Sequence, residues 1–253
     1  MRRTSGEFAA LGLSLPVPQL GRVADATAEA YGTLLAAARP STHPYLIRIW
    51  NFVGAINAGE GDAECYRQFC VGRAQAVDAM FLTPPPAATA IGASHATAPL
   101  SVVALCSSTP AIALENPRQT PAWQYPREHG PVSPGFSRGA VMSEGSSVLL
   151  LASGTASIVG HVSQHAGDVL AQLDESLRNL DVLLEEGKQK SGGVFLRAGC
   201  QSLRVYLRDA AAVSAVAERL SHSGIDPSRV AFLQGDVCRR ELAIEIEGVF
   251  AAN

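Results

Sequence analysis

The chain has 253 residues, 47% of them apolar and 17% charged, the balance of a globular protein rather than a disordered one. Its formal charge of −3 creates no basic field for a nucleic-acid backbone, although a local cluster of arginines can still hold a small anion. No apolar run is long enough to span a bilayer, and no apolar stretch follows Arg2 and Arg3 as a secretory leader requires, so the expectation is a cytoplasmic protein with no membrane partner.

The first twenty residues show no clear period and include Pro16 and Pro18. A helix is expected from Ala24 to Ala38, with Ala28, Tyr31, Leu34 and Leu35 on one stripe, ended by Pro40 and Pro44. Tyr45 to Val53 is rich in aromatic and β-branched residues and reads as a strand. A polar turn leads to a second helix from about Ala63 to Val77, and Pro84-Pro85-Pro86 inside Thr83 to Ala88 reads as a stiff break. Leu100 to Cys106 is a short apolar strand. The proline- and arginine-rich stretch from Glu115 to Gly139 has little periodic pattern, and a loop of that length in a compact chain is a candidate substrate cover.

The last hundred residues are the most legible. A strand at Val148 to Ala152 runs into Ser153-Gly154-Thr155-Ala156-Ser157. A long helix from Ala166 to Glu186 follows, with Leu170, Leu173, Leu177, Leu180 and Leu184 on one face. Then come a strand at Leu203 to Leu207, a helix from Ala211 to Leu220, and strands at Val230 to Gln234 and Leu242 to Ile246. That order predicts an α+β fold, a mixed sheet with helices packed on one face. The front half repeats part of the plan, which suggests two related modules, 1–139 and 140–253, the first incomplete. The five cysteines are odd in number and lack paired ligand spacing, so reduced thiols are expected. His161 and His165 sit four apart, but Val162 stands where a metalloprotease pattern needs glutamate, so no metal and no cofactor is expected.

The C-terminal half resembles the YjgF/Rid superfamily, which shares the chorismate-mutase-like fold, through Ser153-Gly154, Gln172, Asn179, Val205 to Asp209 and Ile244-Glu245-Ile246-Glu247. Within that group, Arg48 to Phe52, Phe69 to Arg73, Glu115 to Gln119, Tyr125-Pro126-Arg127, Phe136-Ser137-Arg138 and the run Ser153 to His161 resemble the chorismatases. In those enzymes further sequence precedes the first helix, and this chain starts inside that region. The resemblance implies a chorismate-cleaving enzyme and a small-molecule substrate, and it leaves a homo-oligomer open.

Cleaving an enol ether begins with protonation of its methylene, which asks for a carboxylic acid kept neutral by burial. Alternation along Leu242 to Ile246 places Glu245 on a face with Ala243, where it is either a solvated glutamate or a pocket acid; the resemblance favours the acid. The resemblance also implies a role for Cys238 in forming 3-hydroxybenzoate, and Gly154 is the form that goes with that product. Strand alternation alone puts Cys238 and Glu245 on opposite faces, so a turn at Arg239 to Glu241 is expected. For the two substrate carboxylates, bidentate arginine forks are expected from Arg127 and Arg138 beside Tyr125, with Arg48, Arg73, Arg118 and Arg239 as further options. Thr155 and Ser157 are candidates for a ring hydroxyl or for backbone groups. Three other outcomes are weighed: hydrolysis of chorismate to a dihydroxycyclohexadiene carboxylate, enamine hydrolysis with Arg229 as the nearest arginine, and an inactive shortened paralogue.

Overall fold

The computed structural model describes residues 1–16, 22–93, 95–145 and 147–253; Pro18, part of the expected irregular start, lies outside them. In the first module, β1 (Arg2–Ser5) and β2 (Phe8–Leu15) form an antiparallel hairpin. Sequence pattern missed both strands; β2 turns Ala9 and Leu11 into the core. The chain continues through α1 (Val23–Ala38), β3 (Tyr45–Val53), α2 (Cys65–Ala76), the short α3 (Ala79–Leu82), β4 (Ala87–Gly92) and β5 (Leu100–Ser107). The sheet order is β1-β2-β5-β3-β4, with β3 and β4 parallel and the other pairs antiparallel. Tyr31, Leu34 and Leu35 of α1 bury against Ile49 and Val53 of β3, as the helical stripe requires.

The second module runs through β6 (Ile112–Leu114), β7 (Gly139–Glu144), β8 (Ser147–Ala156), the small hairpin β9 (Ile158–Val159) and β10 (Val162–Ser163), α4 (Val169–Ser191), β11 (Phe195–Leu207), α5 (Val213–Ser221), β12 (Val230–Gln234) and β13 (Ile244–Ala252). Its order is β12-β11-β13-β8-β7-β6. Asp168 caps α4 by accepting from Leu170 N and Ala171 N, and Gly192 ends it with φ +77°. Leu173, Leu177, Leu180 and Leu184 of α4 are buried on the sheet, each worth about 1.5–3 kcal/mol relative to exposure.

The two sheets follow one plan. Strands β2, β5, β3 and β4 stand to α1 and α2 as β8, β13, β11 and β12 stand to α4 and α5, and β3–β4 and β11–β12 are the parallel pairs. The second sheet has one more edge strand, β6, so the chain enters that sheet at Ile112, ahead of the boundary expected at residue 139. The faces away from the helices meet, so Arg48, Trp50 and Thr89 from β3 and β4 reach Glu247 of β13.

Candidate active site

A cavity of about 480 Å³ opens where the modules meet, within the range of small-molecule sites. The first module supplies Thr89 and Ala90 of β4 with Tyr66 and Arg73 of α2. The second supplies Gly154 of β8, Glu245 of β13, and Cys238 and Arg239 from the turns ahead of that strand. The long segment between β6 and β7 closes one side with Tyr125, His129, Phe136 and Arg138.

Of the four glutamates that line this cavity, Glu245 is the buried one. β13 starts at Ile244 rather than Leu242, so Glu245 shares its face with Glu247 and not with Ala243. Ile244 and Ile246 point to the α4 core, and Glu245, at 4% exposure, points to the other module; the solvated-glutamate reading is excluded. Burial and then the charge of Glu247 push its carboxyl up to about 8, with Arg48 and Arg138 pulling the other way. At neutral pH it is mostly a neutral acid that can give up a proton. Gly154 makes room for it: a Cβ there would overlap Glu245 Oε1 and come within 3.2 Å of Thr89 Cγ2.

Cys238 and Glu245 both line the cavity because the chain turns at residues 238–241 before β13 begins. Burial and the nearby Glu245 push the Cys238 thiol up to about 12, so it is a thiol and not a thiolate nucleophile.

Five arginines line the cavity, and three of them, Arg73, Arg138 and Arg239, stand out. Arg138 donates to Tyr125 Oη at 2.8 Å and to Thr120 O at 2.9 Å. Arg239 lies 5.2 Å from the Tyr125 ring centre and donates to His161 O at 2.8 Å. Arg73 comes from the buried face of α2, beside Phe69. Each of the three keeps one buried nitrogen, Arg73 Nη2, Arg138 Nε and Arg239 Nη2, without a hydrogen-bond acceptor among the described residues. An unpaired buried donor is costly, and an anion in the cavity would satisfy it.

Two expected residues stand elsewhere. Arg127 lies outside the cavity lining and is exposed, with both terminal nitrogens on the Asp62 carboxylate. Its position in a one-turn 3-10 segment (Arg127–His129) directs it across the rim to the first module. Thr155 also lies outside the lining; β8 continues to Ala156, and strand alternation turns its hydroxyl to Ser153 O at 2.9 Å. Arg118 pairs with Glu175 and Asn179, and Arg48 with Glu247.

His161 and His165 do not come together. His165 lies 3.6 Å from Glu175, whereas His161 joins Glu128 and His129, whose ligand atoms lie within 4.8 Å of one another. Burial and the neighbouring Arg239 lower the His129 imidazole to about 4, so a cation beside it meets a guanidinium already in place. Tyr66, His129 and Glu247 were not singled out in the sequence. Arg73, expected only as a further option, is on the buried helix face four residues after Phe69, where an arginine needs an anion.

A helix-backed double sheet with a buried carboxyl and five arginines around the cleft is a site suited to a small anion. Comparison with known proteins narrows this. The family described as chorismatase FkbO/Hyg5-like, N-terminal, matches residues 3–106. A 3-hydroxybenzoate synthase of Streptomyces hygroscopicus is 35% identical, covering 92% of this chain and 71% of that one. A chorismatase of Streptomyces rapamycinicus is 39% identical, covering 93% and 72%. The crystal structure of a chorismatase superposes with a TM-score of 0.86 at 32% identity, covering 98% of this chain and 76% of that one. The chain belongs to the chorismatase family.

Proposed function

We propose that this protein cleaves chorismate to pyruvate and 3-hydroxybenzoate, with Glu245 as the general acid. One observation carries the reading: a buried carboxylic acid, neutral at physiological pH, faces a cavity with three arginines that have donors to spare. Chorismate brings two carboxylates for such donors and an enol ether for such an acid. Relatives bearing the names chorismatase and 3-hydroxybenzoate synthase support the same choice. No helix among the described residues is long and apolar enough to cross a membrane.

Glu245 gives its proton to the enolpyruvyl methylene, and the positive charge formed on the adjacent carbon is met by water. Water returns a proton to Glu245 as it adds; the resulting hemiketal breaks its bond to the ring oxygen, its hydroxyl proton passes to that oxygen, and pyruvate leaves. Loss of the neighbouring ring hydroxyl as water, with a ring proton, then makes the ring aromatic. The water taken up in the first stage is released in the second, so no co-reactant is needed. Because Cys238 stays a thiol, its part is to donate a hydrogen bond to the departing hydroxyl. Arg138 and Arg239, held against Tyr125, and Arg73 opposite, are the forks for the two carboxylates.

The second reading is hydrolysis alone, ending at the dihydroxycyclohexadiene carboxylate; the same acid serves both. Incubation with chorismate and analysis by liquid chromatography with mass detection decides between them. Pyruvate and 3-hydroxybenzoate in equal amounts are expected, and Cys238→Ala is expected to divert product to the dihydroxycyclohexadiene carboxylate. Chorismate left intact by folded protein would remove the reading, and an unchanged product from the variant would remove the role of Cys238.

A further inference from the structure

Behind the cavity lies a polar cluster that takes no part in the proposed chemistry. Glu247 is 3% exposed and accepts hydrogen bonds from five side chains on three strands, β3, β4 and β11. Arg48 Nη2 donates at 2.5 Å, and Trp50 Nε1, Arg204 Nη1 and Tyr206 Oη each donate at 2.9 Å. Thr89 Oγ1 also donates. Glu245, two residues earlier on the same face, accepts no side-chain hydrogen bond among the described residues.

We infer that Glu247, clamped by Arg48 and Arg204, is a positioning residue that assigns the shared proton of this carboxylate pair to Glu245. Two residues along a strand separate the backbones by about 6.5–7 Å, so two buried carboxylates there cannot both ionise freely. The one with the donors ionises. Glu247 has two guanidiniums and three neutral donors; Glu245 has none of these and keeps the proton. Burial alone would raise Glu247, but Arg48, Thr89, Arg204 and Tyr206 overcome this and hold its carboxyl below the usual range. Thr89 ties the two together mechanically, since its hydroxyl donates to Glu247 while its methyl packs beside Gly154 and the Glu245 carboxyl.

The groups facing Glu245 are few and come from every element around it: Glu247 on its own strand, Arg48 on β3, Tyr206 on β11, Tyr66 on α2, Cys238 in the turns before β13, and Arg138 before β7. The tyrosines and the thiol are all raised by burial and stay neutral at physiological pH. Charge at this spot is therefore set by one anion and two arginines. Neutralising Glu247 leaves those arginines to favour ionised Glu245. Removing Arg204 leaves the Glu247 charge less compensated and favours neutral Glu245.

The inference rests on Glu245 being the acid of the proposed reaction, and its test reads the proton directly. Protein labelled with 13C at the glutamate carboxyl is titrated by NMR, the Glu245 resonance being the one missing from Glu245→Gln. Glu247→Gln is expected to move the Glu245 midpoint down by about one to two units, and the alkaline limb of kcat/KM with it. Arg204→Gln, at a side chain 48% exposed, is expected to move both upwards. Shifts of opposite sign are what a general loosening of the fold would not produce. If Glu247→Gln does not fold, the sign of the Arg204→Gln shift decides. A midpoint that stays put in either folded variant overturns the inference. Midpoints that move as stated in a protein that leaves chorismate intact uphold the inference and remove the functional reading.

Discussion

The middle strands of the two modules carry matching pairs, Arg48-Ile49-Trp50 on β3 and Arg204-Val205-Tyr206 on β11, and the register of the neighbouring strands lets them be compared residue by residue. Arg204 and Tyr206 pair with Glu247 and Glu245 on β13. Arg48 and Trp50 pair with Leu105 and Val103 on β5. The repeated plan thus keeps a cation and an aromatic donor in both modules but carboxylates in only one. Both cations and both aromatic donors then converge on the single carboxylate Glu247. A symmetric pair of sheets gives one site and not two because the anions are on one side only. At the place matching Thr89, β12 presents Leu233, which is exposed.

Removing the acid that sets the second module apart is expected to have the largest effect. Glu245→Gln keeps the shape and loses the proton, and positioned general acids contribute about 10²–10⁴-fold, so kcat is expected to fall by that factor. Steady-state kinetics with chorismate check it, with circular dichroism and a thermal melt to show that the fold is kept. In the unaltered protein, activity that needs neutral Glu245 is expected to persist up to about pH 8 and to decline above it, since raising the pH removes the proton being delivered. Activity within a few-fold of the parent in Glu245→Gln would mean that the asymmetry between the modules is not the basis of catalysis.

Much of the second module was legible because its signals are long. The α4 stripe from Leu170 to Leu184 repeats for four turns, and the strands on either side are apolar with polar ends. The elements that escaped notice are short or lack alternation. β4, Ala87-Ala88-Thr89-Ala90-Ile91-Gly92, follows three prolines, and both its faces are covered, so small residues replace the usual pattern of a strand. β7 and the first hairpin suffer from the same weakness of pattern. The acid and the thiol came from the resemblance and stand together in the cavity. The arginines divided according to where their backbone points: Arg138, at the entry to β7, turns inward, while Arg127 does not. Glu247 had the same pattern as Glu245, and only the facing strand, distant in sequence, shows that one is a hub and the other an acid.

Gly154 tests how closely the β8 wall of the second module must follow Glu245. Gly154→Ala adds a methyl that overlaps Glu245 Oε1, and the carboxyl has to move away from β8. A displacement of about 1 Å at a reacting group costs up to about 100-fold, so kcat is expected to drop by roughly 10- to 100-fold while KM changes little. The variant Ala90→Gly, which removes a methyl from the first module's wall of the same cavity, is expected to be much milder, because it adds nothing that displaces the Glu245 carboxyl. Equal losses in the two variants would show that cavity volume, and not the seat of the acid, limits turnover.

The smallest effect is expected where the modules touch at the surface. Arg127 and Asp62 join the long segment of the second module to the turn before α2 through a two-pronged contact, and Arg127 holds Asp62 below the usual carboxylate range. Both side chains are open to solvent, where such pairs contribute little and are screened by salt, so Arg127→Ala is expected to leave kcat/KM within about threefold of the parent. The comparison to make is with Arg138→Ala, which removes a buried guanidinium from the cavity wall; buried charge-assisted pairs to a ligand are worth far more, and KM is expected to rise at least about tenfold. A similar rise for Arg127→Ala, persisting in high salt and absent from Asp62→Ala, would place Arg127 on the substrate carboxylate after all. A rise shared by Arg127→Ala and Asp62→Ala and suppressed by restoring the pair with exchanged charges would instead assign the contact to closing the cavity rim.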